Sequence, residues 1–200
     1  MTGTKVLIVN NVCKSYDGEP ILDHLTLTFS FGKTYCLMAP SGFGKTTFFR
    51  LLMGLEALDS GSVIGMENCR LATVFQEDRL LESYTAMENL RFVTGRRYSA
   101  AALSSILLRL LPKEALKKPV REFSGGMKRR TAILRALLAP SDIVIMDEPF
   151  TGLDSETKAV AAALIKEYTT GKIVLFSTHN VEDAVLLDAE VVQLQSQQIP

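Results

Sequence analysis

Short apolar runs recur along the chain, separated by stretches with helical patterning. The runs are Val6–Val9, Leu25–Phe29, Thr34–Met38, Leu71–Phe75, Ile143–Met146, Ile173–Ser177 and Val191–Leu194. Several are continuously apolar rather than alternating, which predicts strands buried on both faces of a mostly parallel sheet. Helical patterns fall on Thr46–Leu55, Ala86–Val93, Ala101–Leu111, Gly126–Leu138, Glu156–Tyr168 and Val181–Leu187. Strand alternating with helix predicts a doubly wound α/β core. From Glu77 to Val120 the alternation lapses, and helix-like segments follow one another with no convincing strand. The expectation is a single domain over residues 1–200, with a helical subdomain at approximately 77–125 inserted between two halves of the sheet.

Composition narrows the setting. The chain has 200 residues, 47% of them apolar, enough for one domain with a sizeable core. Lys plus Arg and Asp plus Glu each total 22, so the formal charge is zero, which argues against a nucleic-acid partner. Cys13, Cys36 and Cys69 are odd in number and lack paired metal-ligand spacing, and they read as reduced, mostly buried thiols of a cytosolic protein. Met1–Asn11 lacks the design of a signal peptide, and no apolar stretch approaches the ~20 residues that span a bilayer. Any link to a membrane is therefore expected to run through a partner.

Three segments carry candidate chemistry. The first is Ala39-Pro40-Ser41-Gly42-Phe43-Gly44-Lys45-Thr46-Thr47, between an apolar strand and a helical pattern. A strand, a tight Gly-containing loop and a helix make a phosphate-binding device, because backbone N–H groups and the positive helix end face the anion. Lys45 would reach the β and γ phosphates, and the Thr46 hydroxyl would bind Mg²⁺. Ala39 stands where the P-loop pattern has glycine, which is tolerable only if that residue needs neither a positive φ nor a closer backbone approach. The second segment, Ile143-Val144-Ile145-Met146-Asp147-Glu148, delivers two carboxylates to the end of a buried strand, where ligands bind in open α/β sheets. One carboxylate can hold Mg²⁺ while the next polarises a water. The third, Phe176-Ser177-Thr178-His179-Asn180, ends another apolar strand, and its histidine could contact a γ-phosphate, the alternative being a helix-capping or turn residue. His24, the only other histidine, receives no role.

Phe123-Ser124-Gly125-Gly126-Met127-Lys128-Arg129-Arg130 resembles the signature motif of the ABC-type nucleotide-binding domains. It opens a helix, so Ser124, Gly125 and Gly126 form a second anion site at a helix N-terminus. Other segments are similar to the family's motifs in the family's order: Tyr16, where a ring stacks on adenine; Gln76, which touches Mg²⁺ and the attacking water; and Thr151-Gly152-Leu153-Asp154, whose aspartate communicates across a dimer. The resemblance covers roughly Val6 to Leu194 and departs at Ala39, Phe123 and Met127. It implies a P-loop NTPase core with an N-terminal antiparallel β portion and a helical insertion, and, from the short chain, no accessory regulatory domain.

It further implies ATP and Mg²⁺ as cofactors and a head-to-tail dimer, in which the signature of one subunit closes over ATP held by the other. Tyr16 holds the base; Ala39, Pro40, Ser41, Gly42, Phe43, Gly44, Lys45, Thr46 and Thr47 form the phosphate loop; Thr46, Gln76 and Asp147 manage the metal. Glu148 orients and deprotonates water, His179 steadies the γ-phosphate, and Lys45 and Gln76 complete the catalytic set. The implied function is an ATPase on the cytoplasmic face of a membrane, with membrane-spanning permease subunits and a solute-binding protein as further partners. Glu77-Asp78-Arg79-Leu80-Leu81-Glu82-Ser83-Tyr84 is the expected docking segment, and its start looks like importers of the nitrate, sulfonate and taurine group. A non-transport ABC ATPase and a regulatory subunit with weak hydrolysis are the alternatives.

Overall fold

The computed structural model describes residues 5–40 and 42–194. A five-stranded parallel sheet forms the centre. Its strands are β3 (Thr34–Met38), β5 (Leu71–Val74), β6 (Ile143–Asp147), β7 (Ile173–Ser177) and β8 (Glu190–Gln193), in the order β5-β6-β7-β3-β8. β6 and β7 are buried at every residue, as their unbroken apolar sequences require. Alternate residues of these strands feed two separate cores. Ile143, Ile145, Ile173 and Leu175 face one side, with α1 (Lys45–Leu52) and the antiparallel sheet. Val144, Met146, Val174 and Phe176 face the other, with α2 (Ala86–Thr94), α3 (Ala100–Leu107), α4 (Gly125–Leu138) and α5 (Ser155–Tyr168).

The antiparallel sheet, ordered β2-β1-β4, holds β1 (Val6–Tyr16), β2 (Glu19–Ser30) and β4 (Ser60–Ile64). β1 and β2 are far longer than the runs Val6–Val9 and Leu25–Phe29 predict, and the reason is two bulges. Leu7 and Val9 point inward from odd positions, Asn11 then takes a left-handed φ of 52°, and Val12 points inward from an even one. On β2 the phase slips at His24 (φ 48°), between buried Leu22 and Phe29. A period-two reading stops at each slip. β4, with the sequence SGSVI, has no apolar run and escapes prediction. Its Gly61 is required: at φ 87° a Cβ would sit 2.3 Å from the carbonyl oxygen of Asn11.

Between β5 and α4 the chain forms α2, α3 and two short 3-10 turns, Lys113–Lys117 and Val120–Glu122, in place of the alternation. A capping box of Thr85 and Glu88 starts α2. An isolated bridge from Thr85 to Pro119 is the only β pairing between residues 77 and 125. Among the described residues no helix is long and apolar enough to cross a membrane. Of the three thiols only Cys36 is fully buried, which pushes its pKa up to about 12; Cys13 and Cys69 are half-buried, which corrects the expectation of mostly buried cysteines.

Candidate active site

β3 ends at Met38 and the chain turns through Ala39, Pro40, Gly42, Phe43 and Gly44 into α1. Ser41, expected in this loop, lies outside the described residues. Gly42 and Gly44 hold φ of 86° and 82°, and a Cβ on Gly44 would lie 2.9 Å from both Ile21 Cγ2 and Leu22 Cδ2. Ala39 is not among the left-handed residues and packs half-buried against the core, so the alanine fits where the pattern has glycine. Lys45 is buried, and its Nζ donates to the carbonyls of Ala39 (2.5 Å) and Pro40 (3.3 Å), at the mouth of the loop. Phe43 is exposed. Gly44→Ala is expected to cost about 1–3 kcal/mol, from a left-handed alanine plus the contact with β2. Chemical denaturation checks this, and an unchanged midpoint would count against the loop geometry.

The ends of four parallel strands meet over that loop. Gly42, Gly44, Lys45, Thr46, Thr47, Gln76, Asp147, Glu148 and His179 line one cleft of about 280 Å³. Asp147 Oδ2 accepts from Thr46 Oγ1 (3.0 Å) and Oδ1 accepts from Ser177 Oγ (2.6 Å). The backbone N–H of Glu148 donates to the same Ser177 hydroxyl (3.0 Å). Glu148 takes a left-handed φ of 51°, which swings its carboxylate off the line of β6. Its Oε1 is buried and lies 3.0 Å from His179 Nε2, close in charge but without hydrogen-bond geometry.

Burial pushes the Glu148 carboxyl above its ordinary range, with His179 pulling the other way and Asp147 adding to the rise. A carboxyl with a raised folded-state pKa favours the fold at low pH, and that contribution is lost as pH rises through the folded value. Glu148→Gln removes the ionisation. The variant should therefore melt higher at neutral pH without nucleotide or divalent metal, and the gap should close below about pH 4.3, the ordinary glutamate value. Equal melting temperatures at neutral pH would contradict this.

The remaining expected residues flank the cleft. Tyr16 ends β1, 41% exposed; its hydroxyl bonds the Glu56 carboxylate and contacts Thr47 of α1, while the Lys14 ammonium stands 5.3 Å from its ring centre. Ser124 caps α4, accepting from Met127 N–H (3.3 Å), with Gly125 and Gly126 in the first turn. Asp154 caps α5, and the hydrogen bonds from Thr157 hold its carboxyl below the usual range. A Cβ on Gly126 would stand 3.2 Å from the Gly152 carbonyl, so the signature turn and the segment before Asp154 form one surface. None of Tyr16, Ser124, Gly125, Gly126 and Asp154 lines the cleft itself.

Two functional features escape sequence reasoning. Ser177 is fully buried and bridges the two carboxylate residues; its signal is a lone hydroxyl ending an apolar strand, in register with Asp147. The other is a pair of arginines on α4. Arg129 donates to the carbonyls of Phe75 and Gln76 (both 2.6 Å) and stands 3.2 Å from Asp78; Arg135 donates to the carbonyls of Arg79 (2.8 Å) and Asp78 (3.1 Å). Six residues apart, the two lie about 120° from each other around α4, so helical spacing does not pair them, and nothing in the sequence names a backbone as their shared target.

A strand–loop–helix phosphate cradle, facing a strand that ends in two carboxylates, defines a P-loop α/β domain. Residues 22–151 match the family model described as ABC transporter, and the chain belongs to that family. It is 34% identical over 198 residues to the Nod factor export ATP-binding protein I of Cupriavidus metallidurans, covering 90% of this chain and 65% of that protein. To the aliphatic sulfonates import ATP-binding protein SsuB 1 of Nocardia farcinica it is 35% identical over 190 residues, covering 93% and 76%. The chain thus spans a little under two-thirds of the Nod factor relatives' length, and a sulfonate import protein is among its relatives, as the start of the Glu77–Tyr84 segment suggests. The ATP-binding cassette MJ0796, solved as a dimer in a post-hydrolysis state with ADP and Pi, superposes with a TM-score of 0.80 at 26% identity, covering 94% of each chain.

Proposed function

We propose that the chain binds ATP and hydrolyses it as one half of a head-to-tail dimer, whose closing and opening drives a separate membrane permease. The observation that carries this reading is the separation of two anion-binding devices in one fold. Gly42, Gly44, Lys45, Thr46 and Thr47 line the cleft with both carboxylates, whereas the α4 N-terminus at Ser124 lies outside it. A second copy is what gives the second device a nucleotide to meet. MJ0796, described as a dimer with ADP and Pi, supports the arrangement.

Thr46, Asp147 and Gln76 supply hard oxygen donors to one cleft, which suits Mg²⁺, and the two nearest donors are already 3.0 Å apart. Bound there, the ion would neutralise phosphate charge. Lys45 then binds phosphate oxygens, Glu148 accepts the proton of the attacking water, and His179 holds the γ-phosphate side of the cleft. The single domain would carry residues 77–125 as a helical subdomain and would sit on the cytoplasmic membrane face, with a solute-binding protein as a further partner if the complex imports.

The docking segment needs revision. Leu80 packs against the domain's own core and Asp78 is drawn inward by Arg129, so neither is free to receive a partner. Leu81, Tyr84 and Phe92 are exposed, the two rings meeting edge to face at 5.4 Å. Purification of the tagged protein from gently solubilised native membranes should recover a multi-span membrane protein, and Tyr84→Ala with Leu81→Ser should lose it. Recovery of soluble partners alone would move the reading to a non-transport ATPase.

A further inference from the structure

Cys13 and the Asp23–His24 pair are distant in sequence, but the β1–β2 hairpin brings them together. One donor atom from each lies within 4.8 Å of the others, the one such cluster of His, Cys, Asp or Glu among the described residues. Consecutive strand residues ordinarily project to opposite faces. The left-handed turn of the backbone at His24 (φ 48°), in the register slip that faces Cys13 between the pairs Val12–Leu25 and Lys14–Leu22, breaks that rule and lets neighbouring Asp23 and His24 converge.

The polar contacts are those of a ligand set. His24 Nδ1 lies 2.8 Å from the Asn11 side-chain oxygen, an acceptor only, so the ring proton resides on Nδ1. Nε2 faces the carboxylate oxygen Oδ1 of Asp23 at 3.6 Å. A cation between the two satisfies the carboxylate and a neutral imidazole together, whereas a protonated imidazole satisfies the carboxylate by itself. A tetrahedral zinc ion, with bonds of about 2.0–2.3 Å, holds neighbouring donors about 3.3–3.8 Å apart, which brackets the His24–Asp23 separation, while the full set, spread over up to 4.8 Å, would draw in by about 1 Å on binding. The backbone N–H of His24 donates toward Cys13 Sγ (3.3 Å), as metal-bound thiolates accept from nearby amides. The bond from Nδ1 to Asn11 is the outer partner that fixes the tautomer of a ligating histidine.

We propose that Cys13, Asp23 and His24 bind a borderline-soft divalent cation, Zn²⁺ by donor chemistry, with water completing the set. One thiolate, one carboxylate and a neutral imidazole balance the dication, and binding releases the Cys13 proton. His24 and Asp23 are partly open to solvent, so the ion would exchange with the medium rather than be trapped at folding. The site lies three residues before Tyr16, and would brace the hairpin without touching the cleft.

Cobalt reports thiolate ligation directly and tests the proposal without nucleotide. The full chain, stripped with a chelator, is titrated with Co²⁺ in the absence of ATP and Mg²⁺. Expected are a thiolate-to-cobalt charge-transfer band with tetrahedral d–d bands, saturating at one ion per chain and displaced by one Zn²⁺. Cys13→Ser should abolish the charge-transfer band, His24→Ala should weaken Co²⁺ binding at least tenfold, and Cys69→Ser should change neither, with circular dichroism confirming that each variant folds. Absence of the band, which is the result if His24 and Asp23 form only an imidazolium–carboxylate pair, would overturn the site. So would a band that survives Cys13→Ser or disappears in Cys69→Ser.

Discussion

Replacing Glu148 with glutamine is expected to lower ATP turnover by about 10²–10⁴-fold, the usual contribution of a positioned general base, while leaving ATP affinity intact. The carboxylate sits at the end of β6, beside the phosphate loop, yet makes no hydrogen bond through its buried Oε1. An orphaned acceptor lining the cleft beside the phosphate loop suits a group that takes the proton of a water. Glutamine keeps the shape and removes the basicity, so the uncleaved nucleotide should hold two chains together. Steady-state hydrolysis and size-exclusion with ATP read the two effects in one preparation. Turnover within twofold of the parent would remove Glu148 from the catalytic role.

Arg129→Ala should produce the second large effect, on folding as well as activity. The side chain is buried, and its guanidinium holds two backbone carbonyls while standing beside Asp78, whose carboxyl burial already pushes upward against the pull of Arg129. Removing it leaves two acceptors and a half-buried carboxylate without their cation, at a cost of about 3 kcal/mol. The carbonyls belong to Phe75 and Gln76, so slackening this segment should also lower hydrolysis more than ATP binding. Arg129→Lys should restore part of the stability but not the double contact. A loss under about 0.5 kcal/mol in denaturant unfolding would show that the clamp is surface decoration.

The parallel core was legible because burial on both faces leaves an unbroken apolar run: Ile143–Met146 and Ile173–Ser177 correspond to β6 and β7 almost residue for residue. The antiparallel sheet was legible only in part, since the bulges at Asn11 and His24 shift the inward phase, and β4 has almost no apolar signal. The strand-end position of Asp147 and Glu148 followed from the same runs, and Ala39 proved compatible with its backbone. Ser177 and Arg129 were hidden because their partners are a neighbouring strand's carboxylate and a distant backbone, neither of which has a sequence period. The Cys13–Asp23–His24 cluster was hidden for a related reason: spacing along the chain does not record what a hairpin brings side by side.

In the proposed dimer each nucleotide is held by the phosphate loop of one chain and the signature turn of another. Complementation tests it most directly. Lys45→Ala disables the loop and Ser124→Arg blocks the signature turn, so either variant alone should be inactive while retaining its fold by circular dichroism. In a mixture, the heterodimer contains one site built from an intact loop and an intact signature turn. Mixing the two inactive proteins is expected to restore a fraction of parental ATP hydrolysis, increasing with protein concentration. A mixture as inactive as its components, from variants that still form dimers with each other, would contradict it.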